Sequence, residues 1–150
     1  RPYRSGTATA PGVGSAVERL CLVKDGRIAR IQRRLPTART APEQLADLFG
    51  GPNAAEQADG YTSALTGTLI TPRLTLNGAA AVVEIGDWTA QGARSDQVLA
   101  FGQIVCTLTT RPDIGTVQFT NAGEPISVPR EDLSLSDRPL TLVDYDELIT

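Results

Sequence analysis

The chain has 150 residues, 41% hydrophobic and 21% charged, with a net charge of −3. That length and balance fit one globular domain with its own core, and the acidic surplus excludes electrostatic capture of nucleic acid. There is no histidine, which removes Ser-His-Asp and Cys-His catalysis and every histidine metal site.

No apolar run approaches the roughly 18 residues that a membrane span needs. The opening RPYRSGTATAPGVGS is rich in Gly, Pro, Ser, Thr and Ala and reads as a flexible tether over residues 1–15, with a single domain over 16–150. Methionine is absent, so the chain is expected to begin after its translational start, as either removal of an export signal or an arbitrarily chosen first residue would leave it. Lys24 is the lone lysine against many arginines, which with the abundant Ala and Gly is the composition expected from a high-GC genome.

AVERLCLV has strand composition, and Lys24 to Arg27 places Asp25-Gly26 at the centre of a hairpin turn. IARIQRRL returns as a strand and stops at Pro36. Thr40 and Glu43 stand at capping-box spacing before the short helix EQLADLF, which Gly50-Gly51-Pro52 ends. Asn53 and Glu56 repeat the capping spacing over Asn53 to Asp59, closed by Gly60. In LITPRLTLNGAAAVVEIG, two apolar runs flank Asn77-Gly78, the expected hairpin turn, and Pro72 marks an edge or a bulge. A longer helix spans about Asp96 to Thr110, with Val98, Phe101, Ile104, Val105 and Leu108 along one stripe. TVQFT and PISV are expected to pair through Asn121-Ala122-Gly123, and the tail adds a strand and a terminal helical turn. The order is ββαββαββ: an α+β fold, a mostly antiparallel sheet with two main helices packed on one face.

Taken in order, DGRIARIQRRLP, LADLFGGPNAAEQADGYTSAL, the Asn-Gly hairpin and QVLAFGQIVCTLTTRPDIGTVQFTNAGEPI resemble the GerMN domain of sporulation and germination proteins, over about Val17 to Tyr145. The most specific pieces are Gly51-Pro52 with Glu56, Gly60 and Ser63-Ala64-Leu65, and the stretch from Gln103 to Pro125. Family members are secreted proteins and lipoproteins, many from high-GC Gram-positive bacteria, working in spore-envelope assemblies or beside membrane sensor kinases. The resemblance implies an extracytoplasmic, non-catalytic binding or scaffold domain without cofactor. Its partner would be an envelope protein or peptidoglycan, and it would meet the membrane only through a lipidated cysteine upstream of Arg1. These 150 residues are expected to hold one copy of the domain, where the germination protein has tandem copies, and none of them reads as the propeller of the kinase-associated lipoproteins. A cell-wall glycan-binding module or hydrolase is the alternative, and two carboxylates facing across a deep cleft would favour the hydrolase.

Cys21 and Cys106 admit three readings. A reactive thiol lacks a histidine, and Cys106 lies late in its helix, where the dipole disfavours a thiolate. Two buried thiols are the plain alternative. A disulfide is favoured: Cys106 flanks the apolar stripe, and Gly102, one turn earlier, lets the helix approach a strand closely. Gly12 to Ser15 lacks a phosphate-loop lysine, and the Asp144, Asp146 and Glu147 cluster lacks the ligand pattern of a calcium loop, so no metal site is expected. Trp88 is expected in core packing first, as a lid over the end of the sheet second and as an exposed binding anchor third.

Strand alternation puts Cys21, Val23, Ile31, Leu35, Leu74, Leu76, Val83, Ile85, Val117 and Phe119 toward the helices. The opposite face receives Glu18, Leu20, Leu22, Arg30, Gln32, Arg34, Thr71, Arg73, Thr75, Glu84, Gln118 and Thr120. Arg30, Arg34 and Arg73 are therefore expected on one exposed surface as a candidate partner face, the plain alternative being an ordinary solvated sheet face.

Overall fold

The computed structural model describes residues 16–65, 72–85 and 94–149. The expected tether with its Gly-Val-Gly-Ser stretch, Thr71 and Trp88 lie outside them. Strands β1 (Ala16–Lys24) and β2 (Arg27–Leu35) form an antiparallel hairpin, with Lys24 opposite Arg27. Its two central residues, Asp25 (φ 55°) and Gly26 (φ 75°), both take the left-handed conformation that a type I′ turn requires. Helix α1 (Ala41–Phe49) opens on a capping box: Thr40 Oγ1 accepts from Glu43 N at 3.3 Å, and Glu43 Oε1 accepts from Thr40 N at 2.9 Å. Helix α2 (Ala54–Ala58) has the same box between Asn53 and Glu56.

Strands β3 (Arg73–Asn77), β4 (Ala80–Glu84), β5 (Thr116–Asn121) and β6 (Glu124–Pro125) form a four-stranded sheet in that order. The β3–β4 turn differs by one residue from its expected place. Asn77 pairs with Ala80, so Gly78 (φ 62°) and Ala79 are central, the arrangement of a type II′ turn with glycine first. β3 is an edge strand, with Pro72 just before it. β4 and β5 are parallel, joined through helix α3 (Arg94–Thr109) as a crossover. The expected PISV partner of β5 is mostly lost. β6 has two residues, followed by one bond from Ile126 N to Phe119 O; beyond it Val117 exchanges its backbone bonds with Leu140 of the tail, and Val128–Pro129 (β7) pairs instead with Leu135–Ser136 (β8). The tail ends in a 3-10 helix, Leu142–Leu148, rather than an α-helical turn. Single bridges join Leu140 to Val117 and Ile149 to Ile28, so the tail ties the sheet to the hairpin.

α3 lies at the centre. It is buried almost continuously from Val98 to Leu108, not along one stripe alone, as befits a helix covered on several sides. Phe101, Ile104, Val105 and Leu108 join Val83, Val117 and Phe119 in the main core, with Phe101 edge-on to Phe119 at 4.9 Å. Gly102 makes room for the hairpin and the tail: a Cβ there would stand 2.5 Å from Ile28 Cδ1 and 3.1 Å from Tyr145 Cδ1. Tyr145 is fully buried, and its hydroxyl donates to Pro129 O at 2.8 Å.

The face assignment holds for β4 and β5 but is corrected for the hairpin. Leu20 and Leu22, expected outside, are fully buried in the main core with Leu45, Leu48 and Leu65. Cys21 is buried on the other face, beside Ile28 and Cys106. A strand buried on both faces carries no readable alternation. Leu76, placed toward the helices, is half exposed beyond the edge of the core.

Candidate functional site

The outward edge of β1 is closed by side chains and one backbone bridge, at Thr62, rather than by a third strand. Cys21 N donates to Thr107 Oγ1 at 2.9 Å, and Gln103 Nε2 donates to Cys21 O at 3.1 Å. Gln44 Nε2 donates to Arg19 O at 2.6 Å, and Val23 exchanges two backbone bonds with Thr62. Gln44, Gln103 and Thr107 are buried polar residues whose hydrogen bonds are made in doing this. Beside them Cys21 and Cys106 are joined by a disulfide, their Cα atoms 6.0 Å apart.

A charged cluster adjoins that seam. Arg33 of β2 grips Glu56 through two hydrogen bonds, at 2.8 and 3.0 Å, and donates to Gly51 O at 3.0 Å. Arg39, between β2 and α1, grips Asp47 in the same bidentate way, at 2.8 and 3.0 Å. Between them Glu18 is buried at 4% exposure, and neither of its oxygens accepts a hydrogen bond among the described residues; its nearest cation is Arg39 Nε at 4.0 Å. Burial, reinforced by the neighbouring Asp47, pushes the Glu18 carboxyl up to about 8, against the pull of Arg33 and Arg39. Burial acts on Asp47 in the same direction, but its paired hydrogen bonds from Arg39 and the nearby Arg33 charge hold it below the usual carboxylate range. Of the pair, Glu18 thus holds its proton to higher pH than Asp47. Glu18, Arg19, Arg39, Gln44 and Arg111 line a pocket of about 210 Å³ here.

The expected arginine face is redrawn. Arg30 and Arg34 are exposed on one face of β2, but Arg73 belongs to the other sheet, opposite Glu84. The expectation assumed one continuous sheet, and the described strands form separate ladders. Register brings Arg19 into the cluster instead: it lies opposite Gln32, between Arg30 and Arg34 on the same exposed face. Alternation within the hairpin alone, with Arg19 on the phase of Cys21, would have found it. The acidic tail carries no ligand cage. Asp144 caps Thr141 N at 2.9 Å and Glu131 Oε1 accepts from Glu147 N at 3.1 Å, and no described cluster of acidic or cysteine side chains could hold a metal ion. Among the described residues no helix is long and apolar enough to cross a membrane.

The family model Germane, described as sporulation and spore germination, matches residues 12–127. The chain belongs to this family. It is a GerMN-domain protein, and solved GerMN domains share its fold. The tandem GerMN domains of the sporulation protein GerM from Bacillus subtilis align with a TM-score of 0.62 at 12% identity, over 89% of this chain and 47% of that one. The first GerMN domain of the same protein aligns with a TM-score of 0.58 at 18% identity, over 71% of this chain and 83% of that one. The chain thus spans about half the length of the tandem structure. No curated protein matches it.

In this GerMN domain the residues that carried the resemblance form a connected set. Gly51 (φ 81°) turns its carbonyl to Arg33, whose other partner, Glu56, closes the capping box of α2. Gly60 (φ 93°) ends that helix, and Tyr61 N returns to Glu56 O at 3.0 Å. Ser63 Oγ and Ala64 N both meet the Gln103 amide, at 3.2 and 2.8 Å, and Leu65 fills the core. These residues lock α2 and the following loop to β1, β2 and α3.

Proposed function

We propose that the chain is an extracytoplasmic, non-catalytic binding domain, an accessory part of a cell-envelope or sporulation-related assembly. It would be secreted or held at the outer face of the membrane by a lipid anchor upstream of Arg1. The observation that carries this reading is membership of the sporulation and germination family across residues 12–127. The buried Cys21–Cys106 disulfide supports an oxidising compartment. The hydrolase alternative finds little support at Glu18 and Asp47: both Asp47 oxygens are taken by Arg39, and the two carboxyls adjoin each other rather than face across a cleft.

Protease added to intact protoplasts of the host carrying the full-length tagged protein tests the reading. The domain is expected to be digested while a cytoplasmic marker survives, and Cys21 and Cys106 are expected to resist a thiol reagent until reduced. Full protection together with free thiols would overturn it.

A further inference from the structure

The hairpin has two unlike edges. Along β1 the backbone groups of Arg19, Cys21 and Val23 turn away from β2 and are bonded to Gln44, Thr107, Gln103 and Thr62. Their register partners on β2, namely Gln32, Arg30 and Ile28, turn outward on the opposite edge, as does Arg34. Among the described residues, Ile28 alone of these outward positions is taken, by a parallel bridge from Ile149 of the tail. The edge thus already takes a backbone partner at one rung, and its next rungs, at Arg30, Gln32 and Arg34, are open among the described residues.

The side chains beside those rungs state which strand would fit. Arg19, Arg30 and Arg34 share one exposed face and make no ion pair among the described residues, in a chain whose net charge is −3. Arg30 and Arg34 stand about 13 Å apart along the strand, with Arg19 diagonally between them. A second copy of this edge would bring arginine against arginine, which repels. An anionic surface would satisfy the guanidiniums but leave the outward N–H and C=O groups unpaired. An extended peptide with alternate carboxylates satisfies both. We propose that the β2 edge from Arg30 to Arg34 takes up an extended acidic segment of a partner protein as an added strand. Main-chain pairing gives affinity and the Arg19, Arg30 and Arg34 face gives the preference for acid.

This rests on the reading of the chain as a binding domain and names its partner class. The test titrates the oxidised chain against a fluorescein-labelled peptide of eight residues alternating glutamate and valine, with anisotropy as readout. Saturable binding is expected, weakened at least about tenfold by Arg30→Glu with Arg34→Glu at unchanged melting temperature. A peptide of the same charges methylated at every backbone nitrogen is expected to bind at least about tenfold more weakly, and the Arg30, Gln32 and Arg34 amides to gain exchange protection only with the unmethylated peptide. Absence of binding, equal binding of the methylated peptide, or binding of phosphatidylglycerol vesicles in place of the peptide would each overturn the proposal. The protoplast experiment is read separately, so loss of this docking edge and loss of the extracytoplasmic assignment are told apart.

Discussion

Replacing Glu18 with glutamine removes an ionisable group while keeping its shape and polarity, and the effect should depend on pH. In the folded chain burial raises the carboxyl from 4.5 to about 8, with Asp47 reinforcing the shift. Between those values the folded state holds a proton that the unfolded state has released. Stability therefore falls as pH rises from about 4.5 to about 8, and is level above that. The full displacement corresponds to about 5 kcal/mol, at about 1.4 kcal/mol per tenfold change in proton affinity. Arg39 Nε, already 4.0 Å away, can close on the ionised acid and recover part of this. We expect Glu18→Gln to gain about 2–4 kcal/mol on the wild type between pH 5 and pH 9. Urea unfolding of both proteins at pH 5, 7 and 9 measures it, and taking the difference cancels the titrating groups that do not neighbour Glu18. A difference that stays constant with pH would refute a buried, protonated Glu18.

Gly102→Ala drives a methyl into Ile28 Cδ1, 2.5 Å away, and against the buried Tyr145 ring. A loss of about 1–3 kcal/mol is expected in chemical denaturation, and Ile28→Val, which deletes that Cδ1, should restore part of it. Replacing both Cys21 and Cys106 with alanine opens a loop of 85 residues and should cost about 4.5 kcal/mol in the chain-entropy account; a thermal midpoint that is unmoved would contradict it.

Local chemistry was the legible part of this sequence. Asp25-Gly26, the Thr40–Glu43 and Asn53–Glu56 boxes and the α3 stripe each depend on residues a few positions apart, and the structure realises each of them. The disulfide was legible because two cysteines allow one pairing and Gly102 marked the close approach. What failed was the phase of β1, where Leu20, Cys21, Leu22 and Val23 are all buried and no alternation survives. That error carried others with it. Had Leu20 and Leu22 been placed inside, Glu18 on the same phase would have stood out as a buried acid, and Arg19 would have joined Arg30 and Arg34. The grouping of Arg73 with Arg30 and Arg34 assumed one continuous sheet, and nothing in a single chain says whether two hairpins continue one. The grouping of Glu18, Arg33, Arg39, Asp47 and Arg111 joins distant segments, and no local pattern announces it.

The dressing of β1 by side chains gives this fold two separable clocks. The amide of Leu22 turns inward to its hairpin neighbour Ala29, so its isotope exchange reports closure of the β1–β2 ribbon. The amide of Cys21, one residue earlier, is held by a hydroxyl on α3, so it is shielded only once the ribbon has seated on the helix. Adjacent amides thus time two different events. A ribbon that closes before it seats would show them diverging during refolding, and one that closes only on seating would show them moving together.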